Sequence, residues 1–158
     1  MPESFSSRLL RWKLNWFPAY RGTGARITYI ADNFREVRIQ VPLNWRTRNY
    51  VGSIFGGSMF GAVDPILMVM FIHLLGRDYI VWDRSATIEF KAPGRTTLDA
   101  RFAIAEEELA EIRAVLEREP KLEHLYRTDL IDAEGKVCAV VEQTIYFRKK
   151  RPRGAESR

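Results

Sequence analysis

Residues 51–75 read VGSIFGGSMFGAVDPILMVMFIHLL, and they form the most apolar stretch of the 158-residue chain. Asp64 and His73 are the only titratable residues within it. A helix of this composition is apolar on nearly all sides, so in a soluble protein it must be buried on nearly all sides. We therefore predict a long core helix around which the rest of the chain folds.

This stretch does not have the composition of a transmembrane helix. Asp64 divides it into 13 uncharged residues and a shorter second run, whereas a span needs about 20 consecutive apolar residues. An ionised aspartate followed by proline would be costly in the middle of a bilayer. The N-terminus does not have the pattern of a signal peptide, because basic residues interrupt its apolar runs.

The segments that flank the helix show the alternation of a sheet with one covered face. The strand patterns occupy residues 37–41, 86–91, 98–104, 124–131 and 137–147. Residues 106–119 indicate a surface helix, and Pro93-Gly94 predicts a tight connection between two strands. Short connections favour antiparallel pairing. The predicted fold class is therefore α+β, with a curved antiparallel sheet wrapped around a long central helix and a second subunit over the part that one sheet leaves open.

Length and composition indicate one globular domain, which we place at residues 1–147. The net charge of +5 belongs to residues 148–158, which contain six basic residues and one acidic residue. We expect a basic disordered tail there, with non-specific binding to nucleic acid or to an anionic membrane as the alternative. Nucleic acid is the less favoured partner, because no aromatic residue is interleaved for base stacking. The single cysteine, Cys138, excludes an intrachain disulfide and indicates a reducing, cytoplasmic compartment.

The first 20 residues predict a short amphipathic helix that ends before Pro18. Its apolar residues recur at helical spacing, with polar and basic residues between them. These apolar residues are Phe5, Leu9, Trp12 and Trp16. We expect this face to pack on the body of the protein as a lid, and an interfacial membrane anchor is the less favoured alternative.

Few residues of the chain have catalytic side chains. His73 and His124 are far apart in sequence and near no obvious nucleophile, so a Ser-His-Asp triad has no support. No group of Cys, His and carboxylate residues has metal-ligand spacing. We therefore predict neither a metal site nor a cofactor.

The predicted start of the long helix offers a different chemistry. The amide N–H groups of Gly56 and Gly57 would have no intrahelical partner there, and such groups can hold an oxyanion. Asp64 follows about two turns later, about 10–11 Å from Gly57 along the helix axis. As an acid among apolar residues, Asp64 is either a functional carboxylate or a cap for a half-helix that begins at Pro65. The residues favour neither interpretation.

Four short phrases give the chain a family resemblance. They are Asn-Tyr-Val-Gly at residues 49–52, Phe-Gly-Gly at 55–57, Asp-Pro at 64–65 and Val-Trp-Asp at 81–83. Together with residues 85–94, this pattern resembles the hotdog-fold acyl-CoA thioesterases of the PaaI-like type. It is most similar to a branch with a domain of unknown function that is often labelled as a tetrameric acyl-CoA thioesterase. The resemblance extends from about residue 16 to residue 150 and implies a hotdog fold.

The resemblance also implies roles for individual residues. Gly56, with Gly57 beside it, would polarise the thioester carbonyl, and Asn49 would orient the water or the thioester. Asp64 would be the nucleophile or general base, supplied from the neighbouring subunit of a homodimer or homotetramer. Phe55 stands where the family often has a histidine.

A second departure concerns the hydroxyl group that assists catalysis in some relatives. Asp83 occupies that position, and Ser85 is the nearest hydroxyl.

The implied substrate is an acyl-CoA or a related acyl thioester. Its acyl chain would lie in an apolar tunnel along Met59, Phe60 and Met68, because methionines adapt to flexible chains. The basic residues that could meet the CoA phosphates are Arg84, Lys91 and Arg95, although a solvated sheet face explains them as well. The alternative function is a non-catalytic acyl or acyl-CoA binding protein on the same scaffold.

Overall fold

The computed structural model describes residues 3–150, which contain the helices and strands placed above in the same order, together with a second short helix, α2, and a further strand, β1. In chain order they are α1 (Phe5–Trp16), α2 (Pro18–Gly22), β1 (Arg26–Ile30), β2 (Glu36–Val41), α3 (Gly56–Leu75), β3 (Tyr79–Phe90), β4 (Leu98–Ala103), α4 (Glu106–Leu116), β5 (Leu122–Ile131) and β6 (Val137–Lys149). Strand β6 extends two residues into the predicted basic tail, and residues 151–158 lie outside the described residues.

Helix α3 is the long apolar helix that the sequence predicts. It begins after Phe55 and ends at Gly76, whose φ of 83° is a left-handed conformation that glycine adopts without strain. Its completely or nearly buried residues are Ser58, Met59, Ala62, Val63, Ile66, Leu67, Met70, Phe71 and Leu75. Within the described residues, α3 alone is long and apolar enough to cross a membrane, but half of it is buried inside the protein. That burial is typical of the core helix of a soluble domain.

The six strands form one antiparallel sheet in the order β1-β2-β4-β5-β6-β3. The inner face of this sheet covers one side of α3. Strand β4 shows how the alternation works, because Leu98, Ala100 and Phe102 are buried while the residues between them are exposed. The α+β fold with a curved antiparallel sheet around a long helix is confirmed.

One connection differs from the prediction. Pro93 and Gly94 follow β3, but β3 pairs with β6 while β4 pairs with β2 and β5. Residues 91–97 therefore lead from an edge of the sheet to its interior, and they do not form a hairpin. The sequence pattern predicts where the strands are but not which strands are neighbours in the sheet, because strand pairing depends on how the sheet curls around α3.

Helix α1 packs on the body through the face opposite to the predicted one. Ser7 is completely buried, and the Asn15 amide group pairs with the backbone of Ile27 in edge strand β1, at 2.7 and 2.9 Å. The predicted apolar face is exposed instead. Its residues are Phe5, Leu9, Trp12 and Trp16. The expectation that this face packs on the body is therefore wrong, because polar bonds to the edge strand determine how α1 is attached.

Candidate functional site

A cavity of about 440 Å³ lies between α3 and the N-terminal elements. Its wall includes Leu14 of α1, Tyr20 of α2, Ile27 of β1 and Met68 of α3. We refer to it as the N-terminal cavity. It has the size and apolar lining of a small-molecule pocket, so it can accommodate an apolar group of a ligand.

Asp64 is the one acidic residue in the wall of this cavity. Its side chain is half-buried, and burial raises its pKa above the usual value of an aspartate. Pro65 follows it in the wall and leaves α3 without one backbone N–H donor. The cavity therefore presents a single carboxyl group among mostly apolar walls.

A second carboxylate, Asp83 of edge strand β3, lies close to Asp64. Burial and the nearby charge of Asp64 together raise the pKa of Asp83 to about 6, against a hydrogen bond from Gln143 that lowers it. Two neighbouring carboxylates that share an environment titrate as a pair. The pair therefore holds a proton at a higher pH than an ordinary aspartate does.

Gln143 of β6 donates hydrogen bonds to both aspartates. Its side chain is completely buried, and its Nε2 donates to the backbone oxygen of Asp64 at 2.9 Å and to Oδ1 of Asp83 at 3.2 Å. Its Oε1 has no hydrogen-bond donor within residues 3–150. An unsatisfied buried acceptor costs about 1–3 kcal/mol, and such groups are commonly retained for function.

Gly56 and Gly57 occupy the first two positions of α3, as predicted. Nothing in the described part of the chain accepts a hydrogen bond from their amide N–H groups. Aromatic rings lie against both: a Cβ on Gly56 would stand 2.6 Å from the ring of Phe90, and one on Gly57 would stand 2.3 Å from the ring of Phe55. Asp64 is eight residues after Gly56, about 12 Å along the helix axis, so one protomer does not bring the acid and these amides together.

Asn49 stabilises the loop before α3. Its Oδ1 accepts from the backbone N–H groups of Val51 and Ser53, at 3.1 and 2.9 Å, and its Nδ2 donates to Oγ of Ser53 at 2.9 Å. These contacts explain the residue as a turn-forming asparagine. They give no support to the implied role of orienting the water or the thioester.

Ser85 faces away from the carboxylate pair. A β-bulge between Asp83 and Ser85 shifts the register, so Asp83 pairs with buried Ile145 while exposed Ser85 pairs with Thr144. The hydroxyl group is therefore on the outer face of the sheet. One protomer gives no support to Ser85 as the assisting hydroxyl, because the bulge turns its side chain outward, and that role stays a prediction.

The three residues of the expected acyl tunnel lie in different environments. Met68 lines the N-terminal cavity. Met59 is buried in the core near Gly94, and Phe60 is half-buried beside that core, so neither lines the cavity. Of the three, only Met68 lines the cavity, since Met59 and Phe60 point to other sides of α3, and the acyl tunnel stays a prediction.

The basic residues lie outside the cavity wall. Arg84 forms an ion pair with Glu123 at 2.9 Å, Lys91 forms one with Glu89, and Arg95 is exposed. Exposed pairs of this kind contribute little to stability. Their positions fit a solvated sheet surface, and contact with CoA phosphates stays a prediction.

Within residues 3–150, no group of three or more His, Cys, Asp or Glu side chains could hold a metal ion. His73 stacks on Phe34, with ring centroids 4.4 Å apart. Cys138 is buried, and burial raises the pKa of its thiol, which keeps it protonated and unreactive. The two aspartates with Gln143 are therefore the chemically distinctive group of the described residues.

Comparison with known proteins agrees with this architecture. A model of the family with a domain of unknown function, DUF4442, matches residues 6–147. The chain belongs to the DUF4442 family. No curated protein matches the sequence.

Solved structures of low sequence identity share the fold of this DUF4442 chain. A protein from Pseudomonas aeruginosa, PA5026, described as a "Probable Thioesterase", has a TM-score of 0.80 and 18% identity and covers 95% of this chain and 99% of its own. Thioesterase HI1161 from Haemophilus influenzae has a TM-score of 0.68 and 16% identity, with 96% of each chain covered. A protein of unknown function from Chlorobaculum tepidum has a TM-score of 0.71 and 18% identity, with 92% and 95% covered. These matches establish the hotdog fold.

Sequence reasoning did not assign a role to Asp83 or to Gln143. The sequence gives a weak indication of both residues, because each is polar at a position where the strand alternation predicts a side chain that points inward. In the sequence, Asp83 is noticeable only as the residue that stands where some relatives have a catalytic hydroxyl group. Gln143 lies in a run of buried residues in β6, and an inward amide in such a run indicates a polar partner across the core.

Proposed function

We propose that this DUF4442 protein is an acyl thioester hydrolase that takes acyl-CoA or a related thioester. The observation that carries the proposal is the half-buried carboxylate of Asp64 in the wall of an apolar 440 Å³ cavity, next to Asp83. The cavity suits an acyl chain, and the raised pKa values suit a carboxylate that exchanges protons near neutral pH. Two structural relatives described as thioesterases support the reaction class.

The reaction needs a base or nucleophile and a site for the oxyanion. Asp64 would remove a proton from the attacking water, or would attack the thioester carbonyl itself. In either route the carbonyl oxygen would become an oxyanion, and collapse of the tetrahedral intermediate would break the C–S bond and expel the carrier thiolate. After attack by water, the acid would be released and the proton would pass from Asp64 to the thiolate. After attack by Asp64, a mixed anhydride would remain, and water would hydrolyse it to free the acid and Asp64. Asp83, beside Asp64, would titrate together with it as a pair.

The oxyanion site would come from a second copy of the chain. The N–H groups of Gly56 and Gly57 have no acceptor in the described part of one protomer, and they are about 12 Å from Asp64. Strand β3 forms an edge of the sheet across 12 residues, and Trp82 on it is half-exposed. A long edge strand of this kind is a surface for pairing with another chain. We therefore propose a homodimer or homotetramer with composite sites.

The remaining features of the substrate and its compartment are expectations. Arg84, Lys91 and Arg95 would contact CoA phosphates from the sheet surface, and the reaction would need no cofactor beyond the thioester. The protein would act in the cytoplasm, where the thiol of Cys138 would stay reduced.

A panel of acyl-CoA substrates of increasing chain length, followed by release of free thiol, tests the proposal. Asp64→Asn should fold normally and lower kcat/KM by at least about 100-fold, because the base is removed. Asp32→Asn is the matched control, since Asp32 is exposed in the turn between β1 and β2. Turnover in Asp64→Asn equal to that of the control would remove Asp64 from the mechanism.

A second candidate function is acyl-CoA binding without hydrolysis. It is favoured by the Phe55 ring, which stands where the family often has a histidine and lies against Gly57. Calorimetry should then show saturable binding of long-chain acyl-CoA, and no thiol should be released over hours. Thiol release that depends on Asp64 excludes this candidate.

A further inference from the structure

Helix α1 exposes a continuous apolar stripe that the fold does not use. Its members are Phe5, Leu9, Trp12 and Trp16, which are 80%, 44%, 58% and 55% exposed. At 100° per residue they lie within about 40° of one direction on the helix surface. We refer to them as the α1 stripe. Exposed apolar patches of this kind mark interaction surfaces.

Basic side chains border the stripe, and α1 contains no acidic residue. Helical spacing places Arg8 on one side of the stripe and Lys13 on the other, and both are exposed. Arg21 of α2 lies over the ring of Trp16, 4.5 Å from its centroid. Arg11 differs, since it lies toward the body and pairs with Glu3 at 2.8 Å. The surface around the stripe is therefore positively charged.

The attachment of α1 to the body does not need the stripe. Ser7 and Leu14 attach the helix through its opposite face, and Asn15 on its flank bonds to edge strand β1. Four large apolar side chains are thus kept in water by a helix that is held in place by other residues. The exposed side chains contribute nothing to the core, so a binding function accounts for their presence better than stability does.

We propose that the α1 stripe binds the interfacial region of an anionic phospholipid bilayer. Tryptophan, phenylalanine and leucine along one face with arginine and lysine at its borders is the composition of helices that lie in a membrane interface. A second copy of the chain fits less well. A symmetric contact would bring Arg8 and Lys13 against their own copies, and like charges oppose such a contact.

The stripe is next to the N-terminal cavity. Leu14 and Phe17 line that cavity, and Phe17 follows directly after α1 at its exposed end. A bilayer bound at the stripe would therefore lie beside the cavity wall formed by α1 and α2. This arrangement places the apolar cavity near a source of acyl chains, but the binding itself does not depend on the proposed hydrolysis.

Co-sedimentation of the full chain with vesicles tests the proposal. The protein should bind vesicles that contain phosphatidylglycerol, should bind vesicles of phosphatidylcholine alone more weakly, and should be released by salt. The double variant Trp12→Gln/Trp16→Gln should bind the anionic vesicles at least about tenfold more weakly, because two interfacial anchors are lost. The single variant Phe5→Gln should also bind more weakly. Unchanged far-ultraviolet circular dichroism would show that the variants are folded.

Matched controls isolate the stripe. Trp45→Gln removes a tryptophan that is 88% exposed in another loop, and it should leave vesicle binding unchanged. Arg8→Gln/Lys13→Gln should weaken binding to anionic vesicles, while Arg118→Gln/Lys136→Gln, with the same change in charge at exposed sites elsewhere, should not.

Three results would overturn the proposal. The first is that the wild-type protein does not bind anionic vesicles at low salt. The second is that the stripe variants bind vesicles as well as Trp45→Gln does. Loss of vesicle binding only on removal of residues 151–158 would count in the same way, because the stripe would then not be needed. The third is that the stripe variants change the oligomeric state measured by light scattering while vesicle binding is unaffected, which would assign the stripe to a second copy of the chain.

Discussion

The two sides of α3 differ in what they contact and in what they can do. The side that faces the sheet is closely packed: Phe71 is completely buried, and its ring lies 4.8 Å from that of Phe147 and 5.3 Å from that of Tyr126. The side that faces α1 and α2 leaves a cavity of about 440 Å³ and carries Asp64. The first side forms the packed core, and the second side leaves open space beside a carboxylate.

Shortening one side chain on each side of α3 should give the largest difference in stability. Phe71→Ala should lower the free energy of unfolding by about 3–5 kcal/mol, because it opens a cavity in a packed core. Met68→Ala should lower it by about 1 kcal/mol, because it enlarges a cavity that already exists. Urea unfolding followed by circular dichroism measures both values. Equal losses at the two positions would mean that the N-terminal cavity is closed in solution.

Filling the cavity side should change substrate choice more than stability. Met68→Trp should raise KM for long-chain acyl-CoA by about tenfold and leave KM for short-chain acyl-CoA unchanged, because the ring occupies space meant for the chain. Ile72→Trp is the matched control, since Ile72 is 45% exposed on the same helix and does not line the cavity. If KM rose similarly with both variants, or with neither, the acyl chain would not bind in the N-terminal cavity.

The smallest expected effect concerns the aspartate pair. The pKa of Asp83 is about 6 in the folded protein and near 3.8 when unperturbed, so the folded state binds the proton more tightly. The stability contribution of this proton is complete below about pH 4 and is lost as the pH rises through about 6. Asp83→Asn should therefore stabilise the protein by about 1 kcal/mol near pH 7.5, after allowance for solvent screening, and by much less near pH 3.5.

The same variant should move the pH dependence of activity. The burial that raises the pKa of Asp64 is unchanged in Asp83→Asn, whereas the titration step of Asp83 is lost, so kcat/KM should show a single acidic limb in this variant. Thermal unfolding at the two pH values and a pH–rate profile measure these effects. A variant that is less stable than the wild type near pH 7.5 would show that ionised Asp83 is stabilised by its surroundings.

The core of the fold could be predicted from the sequence because it follows from local composition. The apolar run of α3 and the alternation in β4 appear directly in the order of residues, and both are confirmed. The position of β3 at a sheet edge could not be predicted in this way, since strand order is a property of the whole chain. For α1, the spacing predicted an amphipathic helix but not its orientation, which depends on the bond between Asn15 and edge strand β1.

The candidate site could be predicted only in part. Asp64 was conspicuous as an acid in an apolar run, and Met68 was expected beside an acyl chain. Asp83 and Gln143 come from strands far away in sequence, and only the pairing of β3 with β6 brings them together at Asp64. The outward orientation of Ser85 could not be predicted, because it follows from a β-bulge that simple alternation does not reveal.

A crystal structure of Asp64→Asn with a non-hydrolysable thioether analogue of a long-chain acyl-CoA tests the account most directly. The account predicts that the acyl chain lies in the N-terminal cavity against Met68, with the thioether near residue 64 and the partner subunit's glycine amides. An acyl chain bound elsewhere, with the N-terminal cavity empty and residue 64 remote from the thioether, would contradict it.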